Sequence, residues 1–119
     1  MSDEFVKVAT KEIQEDVSEL EKILLTCDSD DDIISNASKF QKHTHKIKGL
    51  APMMGNSILG DLSASLDSIF KIILNKSSAD GVLQILKNII PKLKLVLSEP
   101  NFEIDEIKEN VSQIEKILN

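Results

Sequence analysis

Apolar residues recur at three- and four-residue steps through five successive segments of this chain, and no segment alternates apolar with polar at every second position. A period near 3.6 gathers side chains on one face of a helix, whereas a half-buried strand needs a period of two. The first segment, about 3–26, carries Phe5, Val8, Ala9, Ile13, Val17, Leu20, Ile23 and Leu24. The second, about 32–54, has a seam of Ile33, Ala37, Phe40, Thr44, Ile47, Ala51 and Met54, with Asp30 to Asp32 offered as caps. Three more follow at about 57–74, 79–97 and 103–118, and Pro91 is expected to kink the fourth because it removes a backbone donor and crowds the preceding turn. The turn formers in CDSDDD, Gly55-Asn56, NKSSADG and SEPN separate the segments. Long amphipathic helices with short connections predict an all-α fold. The expected form is an antiparallel up-and-down four-helix bundle with an additional C-terminal fifth helix, in a single domain spanning 1–119.

Composition narrows the function. All fourteen basic residues are lysines and the net charge is −6, which argues against a nucleic-acid surface: arginine, the usual bidentate reader of phosphates and guanines, is missing. No stretch of eighteen apolar residues occurs, so no membrane partner is expected. Cys27 stands alone and reads as a core residue. With no apolar run at the start of the chain able to act as a signal peptide, the expectation is a cytoplasmic protein.

Both histidines lie in FQKHTHKIKGLAPMMG, residues 40–55. Two residues apart on a helix, His43 and His45 point about 200° away from each other and cannot share a metal ion from one helix. With one cysteine and no further histidine, a metal site is not expected. His45 falls about 100° from the core seam at Thr44, on a stripe with Gln41, Lys48 and Pro52, and so at the edge of the bundle. Lys48 is one turn away. A helical side chain leans toward the N-terminus, so residue 49 normally covers residue 45, and at Gly49 there is no side chain to do so. Mid-helix glycine costs about 1 kcal/mol relative to alanine; access to the imidazole is one reason for it, and close approach of another helix is the other.

An accessible imidazole with a lysine beside it is suited to carrying a phosphoryl group on nitrogen, the ammonium pairing with the phosphate oxygens. No acidic residue occurs between Asp32 and Asp61, while Lys39, Lys42, Lys46 and Lys48 cluster there, a pattern that fits an anion or an acidic partner as well as an ordinary solvated lysine face. Asp67 follows Gly55 by twelve residues and His45 precedes it by ten, so the two stand roughly level across an antiparallel hairpin. Leu50 and Met53 lie on the outer side of the last turn before Gly55 and, with Lys42 and Lys46, form a candidate docking surface. Pro52 is expected to bend that turn.

The run His45-Lys46-Ile47-Lys48-Gly49-Leu50-Ala51, followed by Met54-Gly55, resembles the His-x-x-Lys-Gly segment of histidine phosphotransfer (HPt) domains. It is most similar to the N-terminal phosphotransfer domain of CheA-type chemotaxis kinases, and the likeness extends over the five-helix pattern. The resemblance implies that His45 accepts a phosphoryl group from a kinase ATP-binding domain and donates it to an aspartate of a response-regulator receiver domain. It also implies that Lys48 pairs with the phosphate and that a carboxylate, here Asp67, orients the imidazole. ATP and Mg²⁺ would come with the kinase or receiver partners, and no cofactor would be bound by this chain. On its own the chain would be a substrate and carrier, the phosphoacceptor part of a histidine kinase. Relatives usually have Glu and His where this chain has Asp67 and Ala64, which bears on the tuning of the imidazole. The alternative reading is a helical protein–protein interaction domain that no longer carries phosphate, using its last helix to bind another coil.

Overall fold

The computed structural model describes residues 2–119, and the described residues are helical without a strand. Helix α1 (Asp3–Leu25) begins where the Ser2 hydroxyl accepts from the Phe5 N–H at 3.1 Å, with Asp3 and Glu4 at the positive end of the helix. Helix α2 (Asp30–Met53) is capped by Ser29, whose hydroxyl accepts from the Asp32 N–H at 3.3 Å. It therefore starts two residues before the position expected from the apolar seam. The three aspartates sit in its first turn rather than at the cap. One of them serves another helix: the Asp30 carboxylate accepts from the N–H groups of Gly81 and Leu83 at 2.8 and 3.0 Å, closing the entry to α4. Helix α3 (Ser57–Lys76) starts at Asn56, whose side chain accepts from the Leu59 N–H at 3.0 Å, and ends at Ser77 in the left-handed region.

The fourth segment is not one helix over 79–97. Gly81, at φ 83°, precedes α4 (Val82–Ile89), a 3₁₀ turn covers Ile90–Lys92, and α5 (Leu93–Ser98) completes the arm. The break falls at Pro91, which has no N–H to give to the helical ladder. Helix α6 (Asp105–Leu118) ends the chain.

Contacts between named residues give the course of the chain. Cys27 meets Asn36 and Thr10 meets Met54 at opposite ends of the α1/α2 hairpin. In the α2/α3 hairpin Pro52 lies against Gly60, His45 against Asp67, and the rings of Phe40 and Phe70 stack with centroids 4.8 Å apart. Both hairpins are thus antiparallel. A continuous core joins Ile13, Val17, Leu20, Ile33, Phe40, Ile47, Leu66, Phe70, Ile73, Leu86, Ile89 and Leu93. Burying each such side chain contributes roughly 1.5–3 kcal/mol, which is what holds the helices in register. Cys27 belongs to this core, and burial pushes its thiol above the ordinary range. Val8 does not: it is 55% exposed, because α1 turns its seam through Ala9 instead. Helix α6 packs on α3 and α4 with Ile107, Val111, Ile114 and Leu118 buried, so its heptad seam is used within the chain.

The α2/α3 turn depends on one small residue. A Cβ on Gly60 would come within 2.7 Å of Pro52 Cγ and 2.9 Å of Cδ, and a proline ring cannot swing away. Gly60→Ala is therefore expected to destabilise the protein by roughly 1–3 kcal/mol in a denaturant melt, as overpacking does. The Pro52→Ala background should recover most of that loss; a loss unchanged by Pro52→Ala would place the strain elsewhere.

Candidate functional site

The middle of the α2/α3 hairpin sets an exposed histidine over a buried carboxylate. His45, on α2, has a side chain 62% exposed, and its Nδ1 is 3.6 Å from Oδ1 of Asp67, whose side chain is 1% exposed. That separation is too long for a hydrogen bond, but a carboxylate so placed favours the proton on Nδ1. Nε2 lies on the side of the ring away from the nitrogen that faces Asp67. Apart from its chain neighbours and its own helix backbone, no atom of the described residues lies within 4 Å of a Cβ placed on Gly49, so neither a covering side chain nor a neighbouring helix among them occupies that space.

Asp67 gathers four partners from two helices. Its Oδ1 accepts from Gln41 Nε2 at 3.0 Å, and its Oδ2 has Lys71 Nζ at 3.2 Å and Lys48 Nζ at 3.6 Å. Oδ2 is buried and receives no hydrogen bond among the described residues, so its compensation is the charge of the two ammonium groups. Burial by itself pushes this carboxyl up; the Gln41 hydrogen bond, Lys71 and His45 together outweigh it, and the group is held below its ordinary value of 3.8. Stabilisation from a depressed carboxyl is present above the unfolded-state pKa and disappears as pH falls through the folded-state one. Denaturant melts across the acid range should accordingly show stability falling below the ordinary carboxylate range, and Asp67→Asn should flatten that fall. An equally steep fall in the variant would assign the acid sensitivity to other groups.

His43 faces the other way. Its side chain is 15% exposed and Nδ1 lies 2.8 Å from Oδ1 of Asp16 on α1, which also has Lys46 Nζ at 3.2 Å. The lysine-rich stretch is free of acids in sequence but not in space: α1 and α3 supply Asp16 and Asp67, which pair with Lys46 and Lys48. Asp16 was detectable as the one acid on the buried stripe of α1, three residues after Ile13 and four before Leu20. Lys71 carried the signal of standing four residues after Asp67 on the same helix face.

Of the remaining candidates, Lys46, Leu50 and Met53 line a shallow depression with Glu12, His45 and Gly49. Lys42 is exposed and lies outside it. Thr44 is buried, its hydroxyl donating to the Gln41 carbonyl at 3.2 Å. Among the described residues no group of three or more His, Cys, Asp or Glu is arranged to hold a metal ion, and no helix is long and apolar enough to cross a membrane. No protein-family model, curated protein or solved structure matches the chain.

Proposed function

We propose that the chain is a histidine phosphotransfer module of a two-component pathway, of the kind found in CheA-type chemotaxis kinases, with His45 as the phosphoacceptor. The observation that carries this reading is the uncovered imidazole of His45, with Nδ1 toward a buried carboxylate and open space at Gly49. In the proposed step the Nε2 lone pair attacks the γ-phosphorus of ATP held by a separate kinase domain with Mg²⁺. An N–P bond forms as the bond to the β–γ bridging oxygen breaks, and ADP leaves. The ring becomes cationic with its proton on Nδ1, and the Asp67 carboxylate opposes that charge where it develops. Lys48, one turn along α2, is positioned to pair with the phosphoryl oxygens. Transfer onward reverses the bonding: a receiver aspartate oxygen attacks phosphorus, the N–P bond breaks and neutral imidazole returns. The depression of Lys46, Leu50 and Met53 beside His45 is the proposed docking surface for these partners.

The interaction-only alternative relied on a free seam along the last helix, and that seam is buried against α3 and α4. The test is incorporation from radiolabelled ATP with Mg²⁺ and a CheA-type kinase core supplied in trans. Label that survives alkali and is lost in acid is expected. Failure to label with several such cores, and also with phosphoramidate as a small donor, would overturn the reading.

A further inference from the structure

The two residues flanking Asp67 that take no part in the proposed transfer, Gln41 and Lys71, stand one on each oxygen of the carboxylate. Gln41 precedes His45 by four residues on α2 and donates to Oδ1 at 3.0 Å; Lys71 follows Asp67 by four on α3 and approaches Oδ2 at 3.2 Å. A carboxylate turns about its last torsion with little resistance, so its orientation is set by what its oxygens contact. We propose that Gln41 and Lys71 are positioning residues that clamp Asp67 from the two helices and so fix the proton of neutral His45 on Nδ1.

The geometry divides the work among the four partners. With Gln41 on one lone pair of Oδ1, the oxygen keeps the other for His45, 3.6 Å away. Oδ2 is buried without a hydrogen bond among the described residues, and leaving it without a counter-charge would favour rotation or protonation of the carboxyl. Lys71 is the nearer cation, so Lys48, at 3.6 Å, can leave without stripping Oδ2 of charge. On the phosphotransfer reading, that freedom lets Lys48 follow the phosphoryl group while the imidazole stays aligned. Without the clamp, His45 would behave as an ordinary exposed imidazole, which prefers its proton on Nε2, the nitrogen that must then be unprotonated to react.

The test uses the full chain, nitrogen-15 labelled, at a pH where imidazole is neutral, and reads the tautomer from the two ring-nitrogen shifts of His45. Lys71 is 55% exposed, so Lys71→Met removes charge and keeps the stem without touching the core; Gln41→Met does the same for the amide. The wild type is expected in the Nδ1–H form, both variants to move toward Nε2–H, and Lys71→Arg to stay with the wild type. Initial labelling by phosphoramidate should fall roughly tenfold in both Met variants, as misplacement of a reacting group does. A wild type protonated on Nε2, or either Met variant retaining the wild-type tautomer, overturns the clamp. A wild type protonated on Nδ1 that never takes up phosphate overturns the phosphotransfer reading and leaves the clamp standing.

Discussion

His45→Gln is expected to fold as the wild type does and to take up no phosphate at all. The side chain is 62% exposed, and its one polar contact among the described residues is the 3.6 Å approach to Asp67, so its removal should change stability by no more than about 0.5 kcal/mol. Glutamine offers no nitrogen able to accept a phosphoryl group, so labelling should drop to background. His43→Gln is the informative companion. Its imidazole is mostly buried and lies 2.8 Å from Asp16, a carboxylate whose Oδ2 already has no hydrogen bond among the described residues. Disturbing that pair should cost about 1–3 kcal/mol in a denaturant melt while leaving the label in place. The two variants are thus expected to separate fold from chemistry in opposite directions. Labelling that survives His45→Gln, or that vanishes in a folded His43→Gln protein, would remove His45 from the role of acceptor.

The sequence carried the fold because helix formation here follows burial. Six members of the expected α2 seam, Ile33, Ala37, Phe40, Thr44, Ile47 and Ala51, are the residues buried in that helix and periodicity alone locates them, whereas the seventh, Met54, is its half-buried C-cap. Boundaries were less legible, since they depend on which polar group is left to satisfy an end. Ser29 caps α2 and releases Asp30 to reach α4, a contact across fifty-one residues that no local pattern encodes. The surroundings of the site divide in the same way. Helical spacing puts His45 at the edge, Lys48 beside it and Asp67 level with it. The partners of His43 come from α1, and the acid-free lysine stretch acquires its acids only when three helices meet. Gly60 shows the limit most plainly: its reason is the ring of Pro52, eight residues earlier, and becomes visible only once the hairpin closes.

Gly49 is where stability and function should part. A Cβ there meets no atom of the described residues within 4 Å beyond its own stretch of helix, so Gly49→Ala is expected to stabilise the protein by about 0.5–1 kcal/mol through the helix preference alone. Gly49→Leu gains most of the same preference but sends its side chain toward the N-terminus, over the imidazole one turn back. With a kinase core as donor, labelling of the Leu variant should fall on the order of a hundredfold, because the reacting nitrogen can no longer be approached in line. Phosphoramidate, being small, should lose much less. Damage to the fold would lower stability and labelling together, whereas a covered histidine lowers labelling in a protein that melts later than the wild type. If Gly49→Leu labels at the wild-type rate with the kinase core, the open space above His45 has no part in phosphoryl transfer, and the glycine must be explained by something other than access.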